Sequence, residues 1–162
     1  MFVTNHVLSG VLVGRAFSGR PAVAFLAGVA SHLALDAVPH WGCDLDQPGG
    51  PERFLKVARR DGVIGLASMA TAVLLVDPRD RAATMAAMAG AVVLDLDKPF
   101  LHFFGRNPFP RIVQRVHGLV QNEVADGMPR EFAYGLVFAA SDVVVTARAR
   151  RRVPARRRAG RR

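Results

Sequence analysis

The sequence predicts an all-α fold, a multi-pass helical membrane protein of about four to five apolar helices with metal-competent residues gathered at one membrane face. Three observations carry this expectation. Polar connections separate five apolar runs, and one of them, Pro21 to Val38, approaches the ~20 residues that span a bilayer. No stretch alternates apolar and polar residues as a half-buried strand would. Histidine and aspartate side chains also lie inside apolar runs, where ionisable groups point to function by default.

The first run, Phe2 to Gly14, is short and broken by Thr4, Asn5 and His6. Thr4 or Asn5 suits an N-cap, which puts His6 in the first helical turn. Arg15 to Arg20 is a polar turn, and Pro21 then opens the second run at a position a helix tolerates. Pro39 disfavours helical geometry at Val38, so this helix ends there and His40 sits on a turn beside Trp41. From His40 to Arg60 the composition shifts to a loop with an amphipathic piece at Glu52 to Arg60, and Asp61 opens the third run, Gly62 to Val76. The fourth, Ala82 to Leu94, is rich in Ala, Met and Gly, which permit close helix approach. It ends at Asp95-Leu96-Asp97-Lys98-Pro99. Phe100 to Arg130 is mixed, an interfacial excursion, and Phe132 to Ala147 is the last run. Several runs are shorter than a full span, so a soluble all-helical domain of buried helices is the alternative.

Length and charge narrow the possibilities. The 162 residues make one domain, expected as a helical membrane domain over 1–147 followed by a disordered Arg-rich tail over 148–162. Of the 22 basic residues, nine are arginines in that tail, and the remainder of the chain carries thirteen basic and thirteen acidic residues. The net charge of +9 is therefore a tail effect, and no specific nucleic-acid surface over the domain is expected. Cys43 is the only cysteine, which rules out an intrachain disulfide and a cysteine-rich zinc site.

The candidate chemistry centres on Gly28 to Gly42. On a helix His32 and Asp36 share a face at i,i+4, and His40 follows with a drift of about 80° from His32. An imidazole, a carboxylate and a second imidazole at one helix end suit a divalent ion. The competing reading is a helix end whose polar residues are simply hydrogen-bonded. Asp95 and Asp97 point about 200° apart on a helix and face the same way only in a turn or extended geometry. His102, among phenylalanines, reads as aromatic packing, while His117 and Glu123 are a further ligand or a polar face. If the runs cross a membrane alternately with the Arg-rich C-terminus in the cytoplasm, as the positive-inside rule favours, His6, His32, Asp36, His40, Asp61, Asp95, Asp97, His102 and His117 all fall on the opposite face.

These features resemble the membrane-bound metal-dependent hydrolase family of the YdjM type, bacterial inner-membrane proteins. The resemblance rests on Thr4 to His6 followed by Gly10, on Gly28-x-x-Ser31-His32-x-x-x-Asp36, and on Asp95-x-Asp97 after an apolar helix, and it covers roughly residues 1 to 120. The family's His-Arg-x-x-Thr-His-Ser element is absent, and His117 is the candidate to stand in for it. The resemblance implies a hydrolase working through a metal-activated water on a lipid or lipid-linked ester or phosphoester at the cell membrane. Expected metal ligands are drawn from His6, His32, Asp36, His40, Asp95, Asp97 and His117, with Zn or Mn as the ion and Asp36 or Asp97 as general base. The expected partners are membrane lipid and a lipid-like substrate. The alternatives are a non-enzymatic metal- or proton-handling carrier and a binding module that uses its Arg-rich tail on anionic lipid or nucleic acid.

Overall fold

The computed structural model describes the backbone of residues 1–159 and the side chains of residues 1–148, so the side chains of the tail beyond Arg148 lie outside the described residues. The chain is all-helical. In order it forms α1 (Val3–Ala16), α2 (Pro21–Asp36), a two-residue strand β1 (His40–Trp41), α3 (Gly50–Leu75), α4 (Arg81–Val92), a 3-10 turn (Val93–Leu96), α5 (Asp97–Phe104), α6 (Arg111–Val120), β2 (Glu123–Val124) and α7 (Met128–Ala159).

The multi-pass membrane expectation is overturned. Among the described residues no helix is long and apolar enough to cross a membrane. The apolar helices α1, α2 and α4 have 14, 16 and 12 residues. At 1.5 Å per residue they reach only about 18–24 Å, against a hydrocarbon core of about 30 Å. Helix α3 is longer, but its N-terminal half carries Glu52, Arg53, Lys56, Arg59, Arg60 and Asp61, and α7 holds Arg130, Glu131 and Asp142 within its length. The cell-membrane localisation, the cytoplasmic placement of the C-terminus and the gathering of the site at a membrane face rested on those spans and are corrected with them. Large apolar side chains within the runs, such as Leu26, Leu66 and Leu74, are exposed, so the runs that suggest membrane spans are in part the outward faces of helices.

Helices α1, α2 and α4 form the core. Val7, Val11 and Met88 pack with Val3, Met69, Ala72, Val73 and Val92, and Ala24, Ala83 and Ala87 pack with Val13 and Phe17. Helices α2 and α4 meet backbone to backbone. A side chain at Gly28 would collide with the Ala87 carbonyl, and one at Gly90 with that of Phe25. The small residues of α4 are thus what lets it approach α2 closely enough for a main-chain carbonyl to reach His32.

Helix α1 is not capped by Thr4 or Asn5 as the sequence suggests. It starts at Val3, and two carboxylates from distant helices satisfy its N-terminal donors. Asp61 of α3 accepts from Val3 N at 2.6 Å, Thr4 N at 3.2 Å and Thr4 Oγ1 at 2.6 Å. Glu131 of α7 accepts from Phe2 N at 3.0 Å and Asn5 Nδ2 at 2.7 Å. Both serve orphan N–H groups and favour the positive end of the helix dipole. Asp61 therefore lies inside one continuous helix spanning the expected loop piece and third run, rather than opening a new helix.

Farther along α7, Asp142 is only partly exposed, and burial raises its carboxyl pKa to about 6, with Arg15 opposing the shift. A carboxyl held above its ordinary value disfavours folding once it ionises. The cost is absent below about pH 4 and complete above about pH 6. Asp142→Asn is expected to stabilise the protein at pH 8 by about 1 kcal/mol, after discounting for partial solvation, and to leave it unchanged at pH 4. Denaturant melts at the two pH values check this, and equal gains at both would refute it.

Candidate metal centre

The site lies where the N-terminal half of α1, the C-terminal end of α2, the 3-10 turn and α6 meet. The i,i+4 spacing in α2 does what the sequence suggests, setting His32 Nε2 3.0 Å from Asp36 Oδ2. Helix α1 contributes His6, whose Nε2 is 3.2 Å from Asp36 Oδ1 and 3.8 Å from Asp95 Oδ2. The His6 and His32 rings stack with centroids 4.1 Å apart. His6, His32 and Asp36 have no exposed surface, and the Met1 nitrogen lies 3.0 Å from Asp36 Oδ1.

His117 arrives from far along the chain, and the pairing of β1 with β2 explains how. The two strands run parallel with His40 opposite Glu123 and Trp41 opposite Val124, bonded by His40 N to Asn122 O at 3.1 Å and Gly42 N to Val124 O at 3.2 Å. Asn122 N donates to Asp36 O at 2.9 Å, which joins the end of α6 to the end of α2. That join seats His117 Nε2 3.0 Å from His32 Nε2 and 3.2 Å from Asp36 Oδ2. The chain break at Pro39, which ends α2, thus also supplies the strand that recruits the last imidazole.

The polar groups around the cluster fix its orientation. His32 Nδ1 donates to Ala91 O at 2.7 Å, leaving Nε2 to face the cluster, the arrangement of a metal-ligating histidine with its other nitrogen held by a carbonyl. Gln121 Nε2 donates to Asp36 Oδ2 at 2.7 Å. Asp97 Oδ2 lies 3.8 Å from His117 Nδ1, and Lys98 Nζ bonds Asp95 Oδ1.

Each sequence candidate has a definite place. His6, His32, Asp36, Asp95 and His117 converge in two overlapping groups, His6 with His32 and Asp36, and His32 with Asp95 and His117. These buried groups can hold a metal ion. Asp97 stands one step out, partly exposed, against His117. His40 is buried but its ring does not join the cluster: Nδ1 donates to Val38 O at 2.9 Å, and Nε2 lies 3.3 Å from the Oε1 of Gln121, the residue that bonds Asp36. His102 is exposed, edge-on to Phe103. Gln121, Lys98, Asp61 and Glu131 were not singled out as site residues from sequence. Gln121 carries a usable signal, one helical turn beyond His117. Asp61 and Glu131 act across the fold and carry none.

The donor set fits a divalent cation on three grounds. Ligand atoms around a tetrahedral zinc at 2.0–2.1 Å are separated by about 3.3 Å, and the imidazole and carboxylate atoms here are separated by 3.0–3.2 Å. Buried polar groups almost always have partners, yet His6 Nδ1 and Asp95 Oδ2 have no hydrogen-bond partner among the described residues, and His6 Nε2 meets only carboxylate oxygens, Asp36 Oδ1 at 3.2 Å and Asp95 Oδ2 at 3.8 Å. Finally, Asp36, Asp95 and Asp97 carry three negative charges against two ammonium groups, Lys98 on Asp95 and the Met1 amine on Asp36.

The titration behaviour agrees. Burial lowers the His6 pKa to about 4, against the pull of Asp36 and Asp95, so it is neutral at neutral pH with one ring nitrogen free to ligate. For His32 burial acts in the same direction but is outweighed by the bond to Asp36 and the charge of Asp95, and the pKa is raised. Burial disfavours the Asp36 anion, but bonds from His117, His32 and His6 prevail and hold its carboxyl far below the usual range. For Asp95, burial is likewise outweighed, chiefly by Lys98 and His6, and the pKa falls to about 2. The surroundings thus keep the Asp36 and Asp95 carboxylates ionised, while the proton they favour on His32 is one that a bound cation displaces.

Comparison with protein-family models, with curated proteins and with solved structures finds no match to this chain.

Proposed function

We propose that the protein is a metal-dependent hydrolase whose divalent ion is held by His6, His32, His117 and Asp36, with Asp95 as a further ligand. The observation that carries this reading is the convergence of three imidazole Nε2 atoms on the two oxygens of Asp36 inside a buried cluster, with Ala91 O holding the far nitrogen of His32. Three imidazoles with a carboxylate suit Zn or Mn, and the imidazole share favours Zn. The resemblance to the YdjM-type hydrolases points to the same class through His6, His32, Asp36, Asp95 and Asp97.

A bound divalent ion supplies a water of lowered pKa and polarises a scissile oxygen. The chain supplies the rest. Asp36, enclosed by three histidines, is committed as a ligand, which leaves Asp97 as general base. It is the carboxylate of the group with appreciable exposure, 23 %, and its Oδ2 faces His117 Nδ1. It can take the proton of the attacking water and return it to the departing oxygen as the ester or phosphoester bond breaks. Gln121 and Ala91 hold Asp36 and His32 in register throughout.

Elemental analysis of the purified protein, with and without Zn or Mn reconstitution, tests the centre, and a screen of ester and phosphoester chromogenic substrates tests the chemistry. We expect about one ion per chain and turnover that falls at least 100-fold in Asp97→Asn with the ion retained. Metal without turnover would replace the hydrolase with a carrier, and no metal after reconstitution would overturn the reading.

A further inference from the structure

Exposure around the centre rises in one direction. Asp36 and His32 are fully buried, His117 is 7 % exposed, Asp97 23 % and Lys98 40 %. A substrate oxygen reaching the cluster from solvent therefore passes Asp97 and Lys98. Lys98 is the one lysine or arginine among the described residues that is paired with carboxylates of the centre. Its Nζ bonds Asp95 Oδ1 and lies 3.8 Å from Asp97 Oδ1, while the other Asp95 oxygen, Oδ2, faces His6 and has no hydrogen-bond partner among the described residues. Asp95 is thus divided, one oxygen toward the cluster and one toward the ammonium at its mouth.

Building on the metal-centre reading, we propose that the substrate carries a phosphoryl group and that Lys98 positions it. A divalent ion, Lys98 and the Met1 amine on Asp36 together outweigh the three charges of Asp36, Asp95 and Asp97, so an anion approaching the mouth meets a site without net negative charge and with an ammonium at its edge. Without Lys98 it would meet Asp97 at the rim and the buried Asp95 behind it, neither offset by an ammonium. A neutral carboxylic ester, bound through its carbonyl by the ion alone, has no need of this second cation. An ammonium with three rotatable donors serves as a point charge for phosphate, and exchanging one Asp95 oxygen for a phosphoryl oxygen requires only a small swing of a half-exposed side chain.

Calorimetric titration of the metal-loaded full-length protein with inorganic phosphate tests this, with metal content measured for wild type, Lys98→Gln and Lys98→Arg. We expect phosphate binding by the wild type, a loss of about ten- to a hundred-fold in Lys98→Gln with the ion retained, and recovery of most of the affinity in Lys98→Arg. Unchanged phosphate affinity in Lys98→Gln would overturn the proposal. So would loss of the ion in that variant, which would make Lys98 only a support for Asp95. A wild type that holds metal but not phosphate overturns the phosphoryl substrate alone, whereas a wild type without metal overturns the metal centre as well.

Discussion

Replacing Asp36 with asparagine is expected to abolish stoichiometric metal binding and, with it, the thermal shift that Zn or Mn gives the wild-type protein. Asp36 is the one residue in contact with all three imidazoles, at 3.2 Å from His6 and His117 and 3.0 Å from His32. Its removal takes away the negative charge that makes a cation favourable there. An ion at 100 times its dissociation constant stabilises the folded chain by about 2.7 kcal/mol, and the variant should show none of that gain. Side-chain volume is preserved, but the amide must turn either a donor or an oxygen toward each histidine. The metal-free variant is therefore also expected to be less stable than the metal-free wild type, by about 1–3 kcal/mol. His40→Ala is the contrasting case. It acts on Asp36 only through Gln121, so metal affinity should fall by no more than the 10–100-fold typical of supporting partners. Melting curves with added chelator or metal, combined with elemental analysis, separate the two. Full metal occupancy in Asp36→Asn would remove Asp36 from the ligand set.

His32 and His117 were both expected as ligands and both reach Asp36, but only the first does so by a relation written locally in the sequence. His32 and Asp36 are related by helical geometry alone, and a four-residue spacing on one helix survives any tertiary arrangement. The approach of α2 and α4 also leaves a local trace, in the Gly and Ala residues of α4. His117 reaches Asp36 only because β1 and β2 pair, and two strands of two residues have no alternation to detect. The same limit hides the roles of Asp61 and Glu131, whose partners lie tens of residues away. The membrane expectation failed for another reason. Apolar content is visible in sequence, but whether it faces a core or the outside depends on packing, and α1, α2 and α4 are too short to span whichever way they face. The cap of α1 failed likewise: local rules favoured Thr4 or Asn5, and the helix instead starts earlier, with Asp61 against the N–H groups of Val3 and Thr4.

Glu131→Ala should produce the largest loss of stability of any single substitution considered, about 3–5 kcal/mol. The side chain is 1 % exposed and gathers donors from three places: Phe2 N at 3.0 Å, Asn5 Nδ2 at 2.7 Å and Trp41 N at 3.2 Å. Alanine would strand the N–H groups of Phe2 and Trp41 and leave Asn5 Nδ2 only the main-chain carbonyl of residue 131. Burial raises the Glu131 pKa, opposed by these same backbone bonds, so the carboxylate already opposes folding to some extent, and the loss comes from the donors left behind rather than from a favourable charge. Glu131→Gln keeps one acceptor oxygen but sets an amide N–H against other donors, and it should fall between wild type and alanine. Position matters as much as energy. Glu131 and Asp61 together hold the first turn of α1, and His6 follows one residue after Asn5. Loosening that turn frees the imidazole that faces both Asp36 and Asp95, so Glu131→Ala should lose hydrogen-exchange protection in α1 first and bind metal more weakly even where the rest of the fold persists. Uniform loss of protection with unchanged metal affinity would show that Glu131 serves global packing and has no part in placing His6.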